Sequence, residues 1–385
     1  MKIVLTGGGS GGHFYPLIAV AEQIRKCARE EKLLEPELIY MAPDPYDKEA
    51  LFENNITFKH VAAGKRRKYR SFLNFLDLFK IGWGLIKALL KLFVVFPDVV
   101  FSKGGYVSVP VLFAARFLGI PCIIHESDSV PGRANAWAAR FAKRIAISYP
   151  ESGPLFEKII ATKKKHSPKI ALTGNPIRHE LETLAPSGAH EFLKIEQGLP
   201  VILILGGSQG AQAINDAVLD AISELIEKYN VIHQTGQANF EIVKATAEII
   251  IEKSLHKDRY KPFPFLNVLA MRMAAGVADV IISRAGSGGI FEIATWGKPS
   301  IIIPIPEDVS SDQHTNAFAY AKSGAAVVIE QANLTPHIVI SEINRLIDDP
   351  AEREKMSQAA KAFAKPDAAR KIAQEVLDLA LEHEQ

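Results

Sequence analysis

The sequence predicts an α/β protein built from two doubly wound parallel sheets, and three observations carry that expectation. Short apolar runs alternate with helix-period segments along nearly the whole chain. Most of those runs end in Gly, Ser or acidic residues, which collects polar groups on the carboxyl rim of a sheet, where open α/β folds take ligands. The plan of strand, Gly-rich loop and helix opens the chain and starts again at residue 201, so the chain reads as two mononucleotide-binding halves.

Composition limits the function classes. At 385 residues the chain has ample core for two domains without staples. A hydrophobic share of 48% and a charged share of 23% are those of a soluble globular protein. The two cysteines, Cys27 and Cys122, cannot form a disulfide framework or a four-ligand zinc site, so a reducing compartment is expected. The sequence opens on a strand with no secretory leader, which points to the cytoplasm. A formal net charge of +2 gives no reason to expect nucleic acid as a partner.

In chain order, residues 2–6 form a buried strand that runs into Gly7-Gly8-Gly9-Ser10-Gly11-Gly12-His13, followed by a helix through Leu17, Val20, Ala21 and Ile24. Glycines between a strand and a helix let backbone N–H groups approach an anion, because no Cβ stands in the way. Gly7, Gly9 and Gly12 formally match a dinucleotide fingerprint. The acid that should close the second strand (38–42) is missing, and Asp44 comes too late, which argues against a nicotinamide cofactor. His13 has two readings: a structural hydrogen-bonder, or a base that takes a proton near neutral pH at an anion loop.

Residues 65–70, GKRRKYR without its glycine, place five cations within six positions, beginning Lys65, Arg66, Arg67. A long apolar helix follows. Asp77, Lys80, Gly84, Lys87 and Lys91 fall on one narrow polar stripe, with Phe72, Phe75, Phe79, Trp83, Ile86 and Leu90 elsewhere. Its charges exclude a membrane span. Cations beside aromatics suit contact with an anionic membrane surface, while a buried core helix is the bland alternative. Strands at 98–102, 121–125, 144–148 and 169–172 complete the first half.

The second half opens with a strand at 201–205 and the loop 206–210, where Ser208 could add a hydroxyl to backbone donors around a diphosphate. Strands at 231–236 and 260–266 follow. The unit 278–306 then places Arg284, Ala285, Gly286, Ser287, Gly288 and Gly289 in a loop at a sheet rim, with Glu292 about one turn inside the next helix. Glu292 is either a grip for a ligand's hydroxyl pair or an acid favoured by the helix dipole. Helices at 335–347, 351–364 and 366–382 end the chain.

Two Gly-rich halves, GNPIR at 174–178, and SRAGSGGIFE at 283–292 followed by DQHTNA at 312–317 together resemble the MurG glycosyltransferases. The resemblance spans nearly the whole chain. It implies a GT-B fold, two Rossmann-like domains facing a cleft, divided as 1–173 plus 366–385 and 174–365, the last helix returning to the first domain. It implies an inverting transfer of N-acetylglucosamine (GlcNAc) from UDP-GlcNAc to undecaprenyl-diphosphate-linked muramyl-pentapeptide at the cytoplasmic membrane face, in peptidoglycan synthesis. His13 would be the base, with Ser10, Gly11 and Gly12 facing the sugar or the acceptor diphosphate. Arg178 would approach the donor, Ser208 its diphosphate, the Leu266 backbone the uracil edge, Glu292 the ribose hydroxyls and Gln313 the GlcNAc hydroxyls.

Five positions depart from the family pattern, among them Ser10 in place of Thr and Ser127 in place of Gln. Asp128 stands where an Asn is usual and cannot donate its amide hydrogen bond, so it would accept from a sugar hydroxyl or act as a second base. Gly289 replaces a common Thr, and Asp312 a common His or Gln. Neither half carries a DxD pair at a strand end, so backbone N–H groups, helix dipoles, Ser208 and Arg178 are expected to stabilise the leaving UDP, with no cofactor and no metal. A UDP-GlcNAc 2-epimerase and a diacylglycerol glycosyltransferase of the same fold are the rival readings.

Overall fold

The computed structural model describes residues 1–64, 73–161, 167–207, 210–309 and 311–384, with backbone alone at 73–82, 311 and 384. Lys65, Arg66, Arg67, Phe72 and Ser208 therefore lie outside the described residues, as do the side chains of Phe75 and Phe79. The chain divides into two compact units, one of Met1–Arg178 with Lys365–Gln385 and one of His179–Ala364.

The first unit is organised around a seven-stranded sheet. Its strands are β1 (Lys2–Thr6), β2 (Glu37–Ala42), β3 (Thr57–His60), β4 (Val99–Ser102), β5 (Cys122–Glu126), β6 (Arg144–Ile147) and β7 (Lys169–Leu172). All pair in parallel, in the order β3-β2-β1-β4-β5-β6-β7. Parallel strands are covered on both faces, which is why the central ones are apolar throughout. Ile3 and Leu5 face the helices Gly11–Glu30 and Ala368–Glu384, while Val4 turns to the helices Leu73–Val95 and Val109–Leu118. Helix Ala368–Glu384 packs along Gly11–Glu30. Arg370 pairs with Glu30 at 2.6 Å, and Gln374 donates to Glu31 at 2.7 Å. Glu375 takes Arg144 at 3.0 Å and also pairs with Lys169.

Strand β3 has no counterpart in the sequence reading. Its four residues are exposed or half-buried at the sheet edge, so no apolar run marks them. The polar stripe expected on helix Leu73–Val95 is also interrupted. Gly84 is buried against the Ala62 carbonyl, where a Cβ would collide, and it leads an inward stripe of Ala88, Leu92 and Val95. The opposite side, with Trp83, Ile86, Leu90, Phe93 and Val94, is exposed, as is Phe117 on the adjacent helix. Among the described residues, no helix is long and apolar enough to cross a membrane.

The second unit repeats the plan with six strands. They are β8 (Val201–Leu205), β9 (Asn230–Gln234), β10 (Tyr260–Phe263), β11 (Val280–Arg284), β12 (Ser300–Ile303) and β13 (Ala326–Val328), ordered β10-β9-β8-β11-β12-β13. All are parallel. The strand expected over 260–266 stops at Phe263, so Leu266 sits in the loop beyond. In each sheet the chain order reverses beside the first strand of the half, between β1 and β4 and between β8 and β11. Those two reversals are where a doubly wound sheet opens a crevice at its carboxyl rim.

Candidate functional site

At the first reversal, the loop after β1 takes left-handed or still more unusual dihedrals. Gly7, Gly8 and Gly9 have φ of 143°, 143° and 86°. A Cβ on Gly7 would meet the Lys103 side chain at 2.9 Å, and one on Gly8 the Tyr40 hydroxyl at 2.7 Å. That hydroxyl donates to the Gly7 carbonyl at 2.6 Å, pinning the loop to β2. The helix begins at Gly11, so Gly11, Gly12 and His13 are its first turn rather than loop. No acid lies in that turn, and its N–H groups point out of the rim.

His13 is half-buried, its Nδ1 2.9 Å from the Ser10 hydroxyl and its ring next to Gly105. Burial, with a smaller contribution from the Lys103 ammonium, lowers its pKa to about 4. The imidazole is therefore neutral near pH 7. It can accept a proton at Nε2 when Nδ1–H donates to Ser10.

Below this loop lies a buried polar cluster that the sequence reading did not single out. Lys103, just after β4, is 1% exposed. Its ammonium reaches His125 Nδ1 at 2.7 Å and Asn175 Oδ1 at 2.7 Å, and also donates to Ser127. His125 Nε2 lies 2.9 Å from the Gly174 carbonyl. Burial lowers the Lys103 pKa to about 7 against the pull of Glu126 and Asp128. Glu126 moves the other way, up to about 7, through burial and the nearby Asp128. It keeps donors from the backbone of Gly132 at 2.8 Å and of Asp128 at 3.2 Å, and from Asn135 at 3.0 Å. Arg178 lies over the Tyr15 ring, 4.3 Å from its centre. The segment 174–178 thus packs with the first unit, although its motif had been expected to open the second.

At the second reversal, helix Ser287–Trp296 starts from N-cap Gly286, with Gly288 and Gly289 in its first turn and no acid there. A Cβ on Gly286 or Gly288 would touch nothing, so this backbone is open to a ligand. Glu292 is half-buried in the second turn, and Ala285 lies beneath the loop. Arg284 ends β11 but turns toward β12, donating at 3.3 Å to the carbonyls of Ile303 and Pro304. Gln313 accepts from the Ile305 N–H at 3.4 Å. The Leu266 N–H is already taken: it donates to Gln234 Oε1 at 3.0 Å, while Gln234 Nε2 donates to the Gly207 carbonyl at 3.3 Å. Gln234 is a rim residue the sequence reading passed over, although its place at the end of β9 is the kind of position that marks one.

Ser10, Gly11, Gly12, His13, Asp128 and Arg178 are thus in the first unit, and Leu266, residues 284–289, Glu292 and Gln313 in the second. The N-terminal domain of glycosyltransferase family 28 matches residues 3–147, and its C-terminal domain matches residues 201–372. The chain is 35% identical over 381 residues to a Treponema denticola protein, UDP-N-acetylglucosamine--N-acetylmuramyl-(pentapeptide) pyrophosphoryl-undecaprenol N-acetylglucosamine transferase, covering 94% of this chain and 93% of that one. The crystal structure of Acinetobacter baumannii MurG superposes with a TM-score of 0.70 at 26% identity, covering 98% of this chain and 99% of that one. The chain belongs to the MurG family. The MurG fold is shared more widely. A UDP-GlcNAc 2-epimerase from Neisseria meningitidis, bound to UDP-GlcNAc, superposes with a TM-score of 0.67 at 14% identity over 98% of this chain and all of its own, a likeness of fold alone.

Proposed function

We infer that this protein transfers GlcNAc from UDP-GlcNAc to the muramyl-pentapeptide carried on undecaprenyl diphosphate, the step that completes the lipid-linked precursor of peptidoglycan. The observation that carries this reading is the match over both halves to transferases of that name, at 35% identity across 94% of the chain. The reaction is a single inverting displacement. The muramyl 4-hydroxyl attacks the anomeric carbon, its proton goes to a base, and UDP departs with the electron pair of the broken C–O bond.

His13 is the group we assign as base. A ring with a pKa of about 4 is by itself a weak acceptor. A diphosphate held on the N–H groups of residues 11–13 opposes the Lys103 charge and raises the basicity of His13 when the acceptor is bound. The bare helix start at 286–289 receives the donor diphosphate, with Ser208 as a further donor. Glu292 accepts from the ribose hydroxyls, Gln313 contacts the sugar, and Gln234 releases the Leu266 N–H to the uracil edge. We assign no resident metal to this chemistry.

The exposed apolar side of helix Leu73–Val95 and the neighbouring Phe117, following the cations that begin at Lys65, form the contact with the cytoplasmic membrane face in this reading. The test is transfer of labelled GlcNAc from UDP-GlcNAc to a short-chain lipid-linked muramyl-pentapeptide, with and without EDTA. Transfer in both conditions supports the reading. Loss with EDTA overturns the metal-free chemistry, and release of N-acetylmannosamine without transfer overturns the reaction class.

A further inference from the structure

Lys103 is a fully buried cation that the proposed reaction leaves without a task. Each of its three N–H bonds is used, and each is used on a neutral acceptor: His125 Nδ1, Asn175 Oδ1 and Ser127 Oγ. The bond to His125 has a consequence one residue further on. Because Nδ1 accepts from the ammonium, the ring proton sits on Nε2, and Nε2–H donates to the Gly174 carbonyl at 2.9 Å. Lys103 therefore holds 174–175 twice, directly through Asn175 and indirectly through the tautomer of His125. Three residues beyond Asn175 stands Arg178, against Tyr15 in the helix that carries His13. From its other side Lys103 is tied to the glycine loop: its backbone N–H donates to the Thr6 carbonyl at 2.9 Å and its Cβ lies under Gly7.

We propose that Lys103 is a positioning residue of the transfer reaction, fastening the segment that ends in Arg178 to the rim that carries His13. The proposal rests on the glycosyltransferase reading and on His13 as base. A purely structural lysine would be expected to anchor the sheet; this one anchors the segment after it. The side-chain amide nitrogen of Asn175 is buried with no hydrogen-bond partner, so only the oxygen of that side chain is engaged, and the oxygen is engaged by Lys103. The charged and titratable groups around the ammonium are His125, Glu126 and Asp128 on the β5 side and His13 above.

The distinction can be measured on the full chain with Lys103→Met, Asn175→Leu, their double variant and Asn175→Asp, after thermal melts establish that each is folded. Lys103→Met and Asn175→Leu should each lower kcat/KM about tenfold or more, and the double variant should be no worse than the poorer single, because both remove one coupling. Asn175→Asp keeps the acceptor oxygen and should stay within about threefold of the parent. Additive losses, or an Asn175→Asp as poor as Asn175→Leu, would overturn the proposal. NMR titration of the His13 ring gives a readout independent of turnover: removing the cation should move its midpoint upward, and an unmoved midpoint counts against the placement of Lys103 beside it. A parent enzyme that transfers no GlcNAc would instead remove the reaction on which the proposal rests.

Discussion

His233 makes the acid sensitivity of the second unit calculable. The side chain is fully buried on β9, its Nδ1 2.9 Å from the Tyr260 hydroxyl and its Nε2 3.1 Å from Asn215 Oδ1. Tyr260 donates to Nδ1 and Nε2–H donates to Asn215, so the ring has room for no second proton. Burial lowers its pKa from 6.5 to about 3. The unfolded chain binds that proton below pH 6.5 and the folded chain does not, so stability falls as pH drops from 6.5 toward 3. Between pH 7.5 and 4.5 the difference spans about 2 pH units, worth about 3 kcal/mol. For a unit of this size that is a fall in Tm of about 6–12 °C. His233→Leu should start lower at pH 7.5 by about 2–6 kcal/mol, since it orphans the Tyr260 hydroxyl and Asn215 Oδ1, yet it should lack this acid slope. Urea unfolding read from buried Trp296, with Trp83 and Trp137 of the first unit replaced by Phe, would isolate the second unit. Parallel stability curves for parent and variant across that range would refute the assignment of a neutral, doubly bonded ring.

Further outcomes follow from particular residues. Gly104 has φ of 80° and a Cβ there would stand 2.7 Å from the Asn135 amide, whereas Gly119, at φ 75°, has nothing within 4 Å. Gly104→Ala should therefore cost about 2–4 kcal/mol in denaturant unfolding and Gly119→Ala about 1–2. Stability of the parent should rise from pH 7 toward 10, because Lys103 in the folded chain has released a proton that the unfolded chain retains, and Lys103→Met should flatten that rise in pH-dependent melts. In sedimentation with anionic vesicles, Leu90→Asp and Phe117→Asp should weaken binding about tenfold or more, while Phe52→Asp, on the separate helix Lys48–Glu53, should not. Equal effects from all three would remove the membrane contact from helix Leu73–Val95.

The strand–loop–helix plan was legible because parallel strands covered on both faces must be apolar end to end, and because the loops at the two reversals need glycine. Val201–Leu205 and Val280–Arg284 illustrate the first; Gly7, Gly8 and Gly9, with φ beyond reach of other residues, illustrate the second. Edge strand β3 stayed hidden because an edge strand has no such demand, and Gly84 was misplaced because a glycine counts as polar or as packing space depending on a carbonyl far away in sequence. The polar network under the first rim was illegible for a related reason. Lys103, His125 and Asn175 are separated by 22 and 72 positions from the partners that define them, and in sequence each reads as an ordinary rim residue.

Strand order makes them neighbours: β4 and β5 pair, and β7 delivers the 173–178 segment to the same rim. What the sequence offers as a motif, the structure resolves into two tasks. Glycines clear space for an anion, and buried polar side chains decide which backbone faces it. Asn175 belongs to the second task, so the value of GNPIR lies as much in where Lys103 holds its asparagine as in what its arginine touches.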